Sequence, residues 1–186
     1  RGFPGPGFRV GFPVIELPYF NNEVGKNAFL LISPNGRRTE LRQVGSSALF
    51  EAADSSYLLL DSTTMTLRTT DGTQLSYTQM GSQFNCTEIK DRNGNYITIT
   101  YNDFGIDTVI DTLGRNVKFS YLEGRLKGIY QTWNNGTHTW ASFDYDDTSK
   151  INTNFTALTV VGTANGSKIG GLSKVTLADG SHYDFA

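Results

Sequence analysis

An internal disulfide is excluded at the outset, because the sequence holds a single cysteine, Cys86. Without a histidine in a matched motif, it reads as a small strand residue rather than a nucleophile. An excess of either charge is also missing: 16 Lys and Arg stand against 18 Asp and Glu, for a formal net charge of -2 and a pI near 5.7. Such a chain has no global basic field to recruit nucleic acid or an anionic membrane surface. No apolar run approaches the roughly 20 residues of a membrane-crossing helix, so membrane insertion is not expected. Helical periodicity of useful length is absent, as are a phosphate loop, a G-x-S-x-G elbow and a G-x-G-x-x-G unit. An enzyme is therefore the least favoured class, and neither a cofactor nor a metal is expected.

Glycine, aromatic and β-branched residues fill the space these absences leave. Residues 1–27, "RGFPGPGFRVGFPVIELPYFNNEVGKN", are dense in Gly and Pro without a strict G-X-Y period, which excludes collagen. Their aromatics, Phe3, Phe8, Phe12, Tyr19 and Phe20, need burial, so the segment reads as an irregular lead-in strapped across a neighbouring surface rather than a disordered tail. From Ala28 to the end the texture is uniform: short runs of Thr, Tyr, Val, Ile and Phe cut by turn dipeptides. The expected class is all-β, a repeat-built antiparallel sheet of successive hairpins over residues 28–186.

The turns keep a rhythm. They fall at Asn35-Gly36, Asp71-Gly72, Asn93-Gly94, Leu113-Gly114, Asn135-Gly136 and Asp179-Gly180. Gly72, Gly94, Gly114 and Gly136 are 22, 20 and 22 residues apart, and Gly180 follows 44 later, whereas Gly36 lies 36 before Gly72, a poorer fit that implies compressed or divergent early units. A fixed period of this size marks a repeat architecture. Side chains hold phase with the glycines: Leu31, Leu67, Ile89, Val109, Gln131 and Val175 precede them by five, apolar in every unit but one, and Leu41, Tyr77, Ile99, Phe119, Ala141 and Phe185 follow by five. Positions at odd offsets share one face of a strand, while Thr98, Thr100, Lys118, Ser120, His138 and Ser142 fall on the other. One face covered and one wet is the expectation.

Units such as "GNYITITYNDFG", "GRNVKFSYLEGRLKGI", "GTHTWASFDYDD" and "GSHYDF" resemble the YD repeat of RHS proteins, which runs approximately G-R-x-x-x-Y-x-Y-D-x-x-G-R-L-x-x-I. The positions that carry the resemblance are Gly94, Tyr101, Gly114, Arg115, Tyr121, Gly124, Arg125, Tyr145, Asp146, Tyr183 and Asp184. Leu122 and Asn102 depart from it where Asp belongs, and Ile106 where Arg belongs. The resemblance implies a large, secreted or cell-surface protein, bacterial or teneurin-like, whose repeats wind as a spiralling sheet into a hollow shell. Bacterial members enclose a toxic segment or build surface structures; animal relatives serve adhesion. A self-cleaving Asp-based core segment has no match here, so the resemblance carries over scaffold residues and no catalytic ones. In that family's motif the Arg after the turn glycine is a repeat feature able to pair with an acid of a neighbouring unit, which makes Arg115 and Arg125 the candidates here. The chain opens on Arg1 and stops within "SHYDFA", which suggests a piece of a larger repeat polypeptide or a subunit that self-associates through sheet edges.

Other clusters have plainer readings. "DRNGN" at Asp91 to Asn95 begins like a calcium loop, but Tyr96 stands where Gly is needed and Asn102 where Glu belongs, so it reads as a hairpin turn. "DYDD", Asp144 to Asp147, reads as a solvated strand end. His138 and His182 lack ligand spacing and read as surface residues. Ser181, His182 and Asp184 contain triad residue types without triad geometry. Sequons occur at Asn85, Asn135, Asn154 and Asn165. Trp140, on the polar face, and Trp133, near a turn, are candidates to stack on a glycan or protein ligand, with capping of the repeat stack as the favoured rival role. The favoured function is an encapsulating or surface scaffold, and the alternative is a carbohydrate- or protein-binding adhesion module.

Overall fold

The computed structural model describes residues 8–152, 161–168 and 170–185, so Phe3 and the Asn154 sequon lie outside the described residues. Every regular element among the described residues is a β-strand, and every pairing named below is antiparallel, as the β-branched runs and turn dipeptides require. The chain divides into two compact bodies, Val10–Val117 and Arg1–Arg9 with Lys118–Ala186.

The first body holds β1 (Val14–Glu16), β2 (Tyr19–Asn21), β3 (Lys26–Ile32), β4 (Arg38–Gln43), β5 (Leu49–Ala52), β6 (Leu59–Asp61), β7 (Thr66–Arg68), β8 (Gln74–Met80), β9 (Gln83–Lys90), β10 (Tyr96–Asn102) and β11 (Gly105–Asp111). Strands β3 to β9 pair each with the next. Strand β1 then pairs with both ends of that run, Ile15 lying opposite Leu31 on β3 and Phe84 on β9. The result is a closed barrel of eight strands. Closure removes the exposed edges that an open sheet leaves. Ile15, Leu41 and Leu60 are fully buried, and Phe29 meets Phe50 edge-on with ring centroids 4.7 Å apart.

Two strands therefore lie inside the segment expected to be irregular. Pro13 and Pro18 flank β1 and remove backbone donors at its ends, which keeps it to three residues. A strand this short shows no alternation in sequence, yet it closes the barrel. Beyond it, β9 serves two partners on one side: Gln83–Asn85 pair with β1, and Glu88–Lys90 pair with β10. Cys86 sits buried at the fork, where burial pushes its thiol up to about 12.

The second body takes over within β12 (Asn116–Leu122) and adds β13 (Arg125–Trp133), β14 (Gly136–Asp146), β15 (Gly171–Leu177) and β16 (His182–Asp184). These pair in chain order. Leu126, Phe143 and Leu172 form a buried cluster against which Phe8, Phe119 and Ile129 pack, and Phe8 meets Phe185 edge-on at 4.7 Å.

Five of the six expected turns share one geometry. Gly36, Gly72, Gly94, Gly114 and Gly180 have φ between 76° and 90°, open only to glycine at little cost. In each, the glycine N–H donates to the carbonyl three residues back, as Gly94 does to Asp91 at 3.2 Å. That same residue's N–H donates to the carbonyl just past the glycine, as Asp91 does to Asn95 at 2.8 Å. This is a type I turn closed by a left-handed residue and a G1 bulge. The opposite hairpin ends are two-residue turns, Gly81-Ser82, Asp103-Phe104 and Glu123-Gly124. The sixth expected turn differs: Trp133 pairs with Gly136, and the positive φ values fall on Asn134 and Asn135. Asn tolerates the left-handed region well enough to displace the turn by one residue.

Tyrosine marks a second regularity. Tyr77, Tyr101, Tyr121 and Tyr145 each follow a register shift and pair across it with Cys86, Ile106, Leu126 and Leu172. All four partners are buried. The Tyr101 hydroxyl donates to the Cys86 carbonyl at 2.8 Å, and the Tyr145 hydroxyl to the Leu126 carbonyl at 2.9 Å. Each of these hydroxyls thus reaches the residue paired with the preceding tyrosine. Tyr77 begins the series; its buried hydroxyl has no hydrogen-bond partner among the described residues, and burial raises its phenol well above the ordinary range.

The series yields a change of sign between equivalent positions. Tyr101→Phe and Tyr145→Phe each remove one satisfied hydrogen bond and are expected to cost about 1 kcal/mol. Tyr77→Phe removes an orphaned polar group whose burial costs about 1–3 kcal/mol, so it is expected to be neutral or stabilising. Urea midpoints of the three variants check this; a Tyr77→Phe variant weakened as much as the others contradicts it. Closure through β1 has its own test: Ile15→Ala is expected to lose about 2–5 kcal/mol. Phe20→Ala, at a residue 56% exposed on β2, is expected to stay within about 0.5 kcal/mol of the parent in the same titration.

Candidate functional site

The residues that carry the repeat resemblance fall into structural roles. Gly94 and Gly114 occupy left-handed turn positions, and Gly124 does so in the two-residue turn after β12. Arg115 pairs at 2.6 Å with Asp111 of its own turn, not with an acid of a neighbouring unit, because four residues across a G1 turn bring the two side chains side by side. Arg125 does reach across hairpins, to Asp147 at 2.7 Å, with its guanidinium 5.4 Å from the centroid of the Tyr145 ring. Gly170 leaves room for that pair: a Cβ there would lie 2.5 Å from Arg125 Nη2 and 2.7 Å from Asp147 Oδ1. Asp146 accepts from the Thr148 N–H and from the hydroxyls of Thr148 and Ser149, which holds its carboxyl down at about 2. Tyr183 is exposed, and Asp184 lies 3.2 Å from His182.

The acidic clusters are consumed by the fold. Asp91 accepts from the Asn93 and Asn95 N–H groups and from the Asn95 side chain, so the start of the calcium-like motif is a turn brace. Asp144 pairs with Lys127 at 2.7 Å. Among the described residues, no three His, Cys, Asp or Glu side chains are grouped as a metal ion requires. An open groove of about 550 Å³ runs along the turn end of β9 to β11, lined by Asp91, Asn95, Tyr96, Asp111, Leu113 and Arg115. Its two carboxylates and its guanidinium are already engaged by the contacts above, which leaves Tyr96 and Leu113 as its free surface.

One hairpin departs from both regularities, although a tyrosine again follows its register shift: Tyr130 pairs with the exposed Thr139 rather than with a buried residue. In β13–β14 the turn is a two-residue Asn134-Asn135 type, and the register shifts between Ile129 and Tyr130, so that Trp140 is the extra residue of a β-bulge. Bulges re-aim the side chains beside them. By alternation, Trp133 shares the face of Ile129, which packs on the buried cluster. The bulge brings His138 to that same face: its ring stacks on the Trp133 indole at 3.4 Å and 10°. Trp140 lies 5.9 Å from Trp133 at 36°. His138 and Trp140 were expected on the wet face; a count of residues from Gly136 cannot register a bulge, and the contact with Trp133 places them with it. The two tryptophans are 40% and 48% exposed, so the cluster stands where the core has ended.

No family model matches the chain, and no curated protein matches it in sequence.

Turn carboxylates set the acid behaviour of the first body. Hydrogen bonds from Ser56, with further help from Arg37 and Thr39, outweigh burial and hold Asp54 at about 2, against an ordinary 3.8. A depressed folded value contributes stability above about pH 4 that is lost as pH falls toward 2. Asp54→Asn is therefore expected to flatten the dependence of the urea midpoint on pH between about 4 and 2, with little slope changed above pH 5. An unchanged acid slope contradicts the assignment.

Proposed function

We propose that this chain is a structural scaffold, part of an RHS/YD-repeat-type assembly of the secreted or cell-surface kind, and not an enzyme. The observation that carries the reading is the coupling of hairpins through tyrosine: a bulge beside Tyr77, Tyr101, Tyr121 and Tyr145, and hydroxyls from Tyr101 and Tyr145 to the carbonyl of the preceding bulge partner. A device that ties each hairpin to the one before it suits a chain whose task is to extend a wall. The alternation of G1 turns with two-residue turns supports a repeat-built, spiralling sheet for the same reason. The polar side chains of the repeat are occupied by turn bracing and cross-hairpin pairing, which favours mechanical over chemical work. On this reading the partners are further repeat units of a longer polypeptide or copies joined through sheet edges.

Native mass spectrometry of material isolated from its source tests the proposal. The expected result is a species well above 20.5 kDa, covalent or non-covalent, that identifies the remainder of the assembly. A stable monomer of 20.5 kDa contradicts it.

A further inference from the structure

The β13–β14 hairpin departs from the repeat twice, in its turn and in its bulge, and both departures serve one result: Trp133, His138 and Trp140 meet as a contiguous aromatic ledge. Elsewhere in the series, the residue inserted by the bulge beside each tyrosine is Thr87, Asp107, Lys127 or Ser173, a small or charged side chain. Here it is an indole. Capping of the core explains the placement poorly, because both indoles remain 40% or more exposed, while Leu126, Phe143 and Leu172 already close the cluster.

The chemistry around the ledge narrows the ligand. No Asp, Glu, Lys or Arg occurs between Gly128 and Phe143, so the turn half of the hairpin, which carries the ledge, offers no full-time charge to pair with a phosphate, sulfate or ammonium group, and Arg125 and Lys127 at its far end are engaged by Asp147 and Asp144. Among the described residues, neither indole N–H has a hydrogen-bond partner, and the amides of Asn134 and Asn135 stand exposed at the turn beside the ledge. Two exposed indoles inclined at 36° and flanked by neutral donors and acceptors match a pyranose ring, whose C–H face stacks on an indole while its hydroxyls bond to amides and indole N–H groups. A purely apolar partner would leave those donors unpaired, at a cost.

We propose that Trp133, His138 and Trp140 form a binding ledge for uncharged saccharides. This reading is independent of the scaffold proposal, since a wall and a free-standing module could each carry such a ledge. The test titrates the whole chain with soluble neutral oligosaccharides built from glucose, N-acetylglucosamine, mannose and galactose, following tryptophan fluorescence and heat by calorimetry. Saturable binding of at least one is expected, weakened tenfold or more by Trp140→Ala and partly restored by Trp140→Phe, with the urea midpoints of both variants unchanged. His138→Ala is expected to weaken the same ligand without abolishing it. Failure of every saccharide to bind overturns the proposal, as does equal binding by Trp140→Ala, or binding only of an anionic polysaccharide such as heparin that disappears at 0.3 M salt (~0.3 M screens charges beyond about 6 Å). Assembly mass is not altered by any of these outcomes, so the two proposals fail separately.

Discussion

A β-bulge beside a tyrosine is the constraint on which the fold depends. Long antiparallel hairpins accumulate twist, and an inserted residue on one strand increases it locally while leaving one backbone group without its ladder partner. In this chain the insertion recurs opposite Tyr77, Tyr101, Tyr121 and Tyr145. The phenol is long enough to cross to the preceding hairpin, and where it does so it donates to a main-chain carbonyl of the bulged strand there. Serine in the same place is too short and phenylalanine has no donor. Tyrosine therefore does two things at one position: its ring packs on a buried aliphatic or thiol side chain, and its hydroxyl satisfies the neighbouring unit.

That coupling operates within two different settings. In the first body the strands close on themselves through β1, so Leu41, Leu60 and Leu67 are buried from all sides and need no further cover. In the second body the same kind of hairpin leaves Phe119, Ile129 and Val175 only half-covered around Leu126, Phe143 and Leu172. Corresponding positions of successive hairpins thus have different burial, which follows from closure rather than from local sequence. The aromatic ledge stands where cover is thinnest.

Much of this was legible in the chain. The five G1 turns were marked by their glycines, because φ near 80° is a demand only glycine meets cheaply. The covered face was marked too: Leu31, Leu67, Leu41, Tyr77 and Ile99 are all buried as their phase implied. What stayed hidden is non-local or lacks a residue signature. The strand Val14–Glu16 is too short for alternation and is masked by flanking prolines, yet its pairing with β3 and β9 makes the barrel. The residue that a bulge inserts is not fixed, Thr87, Asp107, Lys127, Trp140 and Ser173 all filling that place, so the faces of His138 and Trp140 do not follow from a count from Gly136. Trp133 and Trp140 were singled out for their chemistry; the stacking of His138 between turn and bulge required the register.

Native-state hydrogen exchange on the parent and on Tyr101→Phe would test the coupling most directly. If the hydroxyl ties hairpins together, the substitution lowers protection along β8 and β9, around Cys86, by as much as it does along β10 and β11. Loss of protection confined to β10 and β11 would contradict the account, leaving the tyrosines as ordinary core residues of independent hairpins.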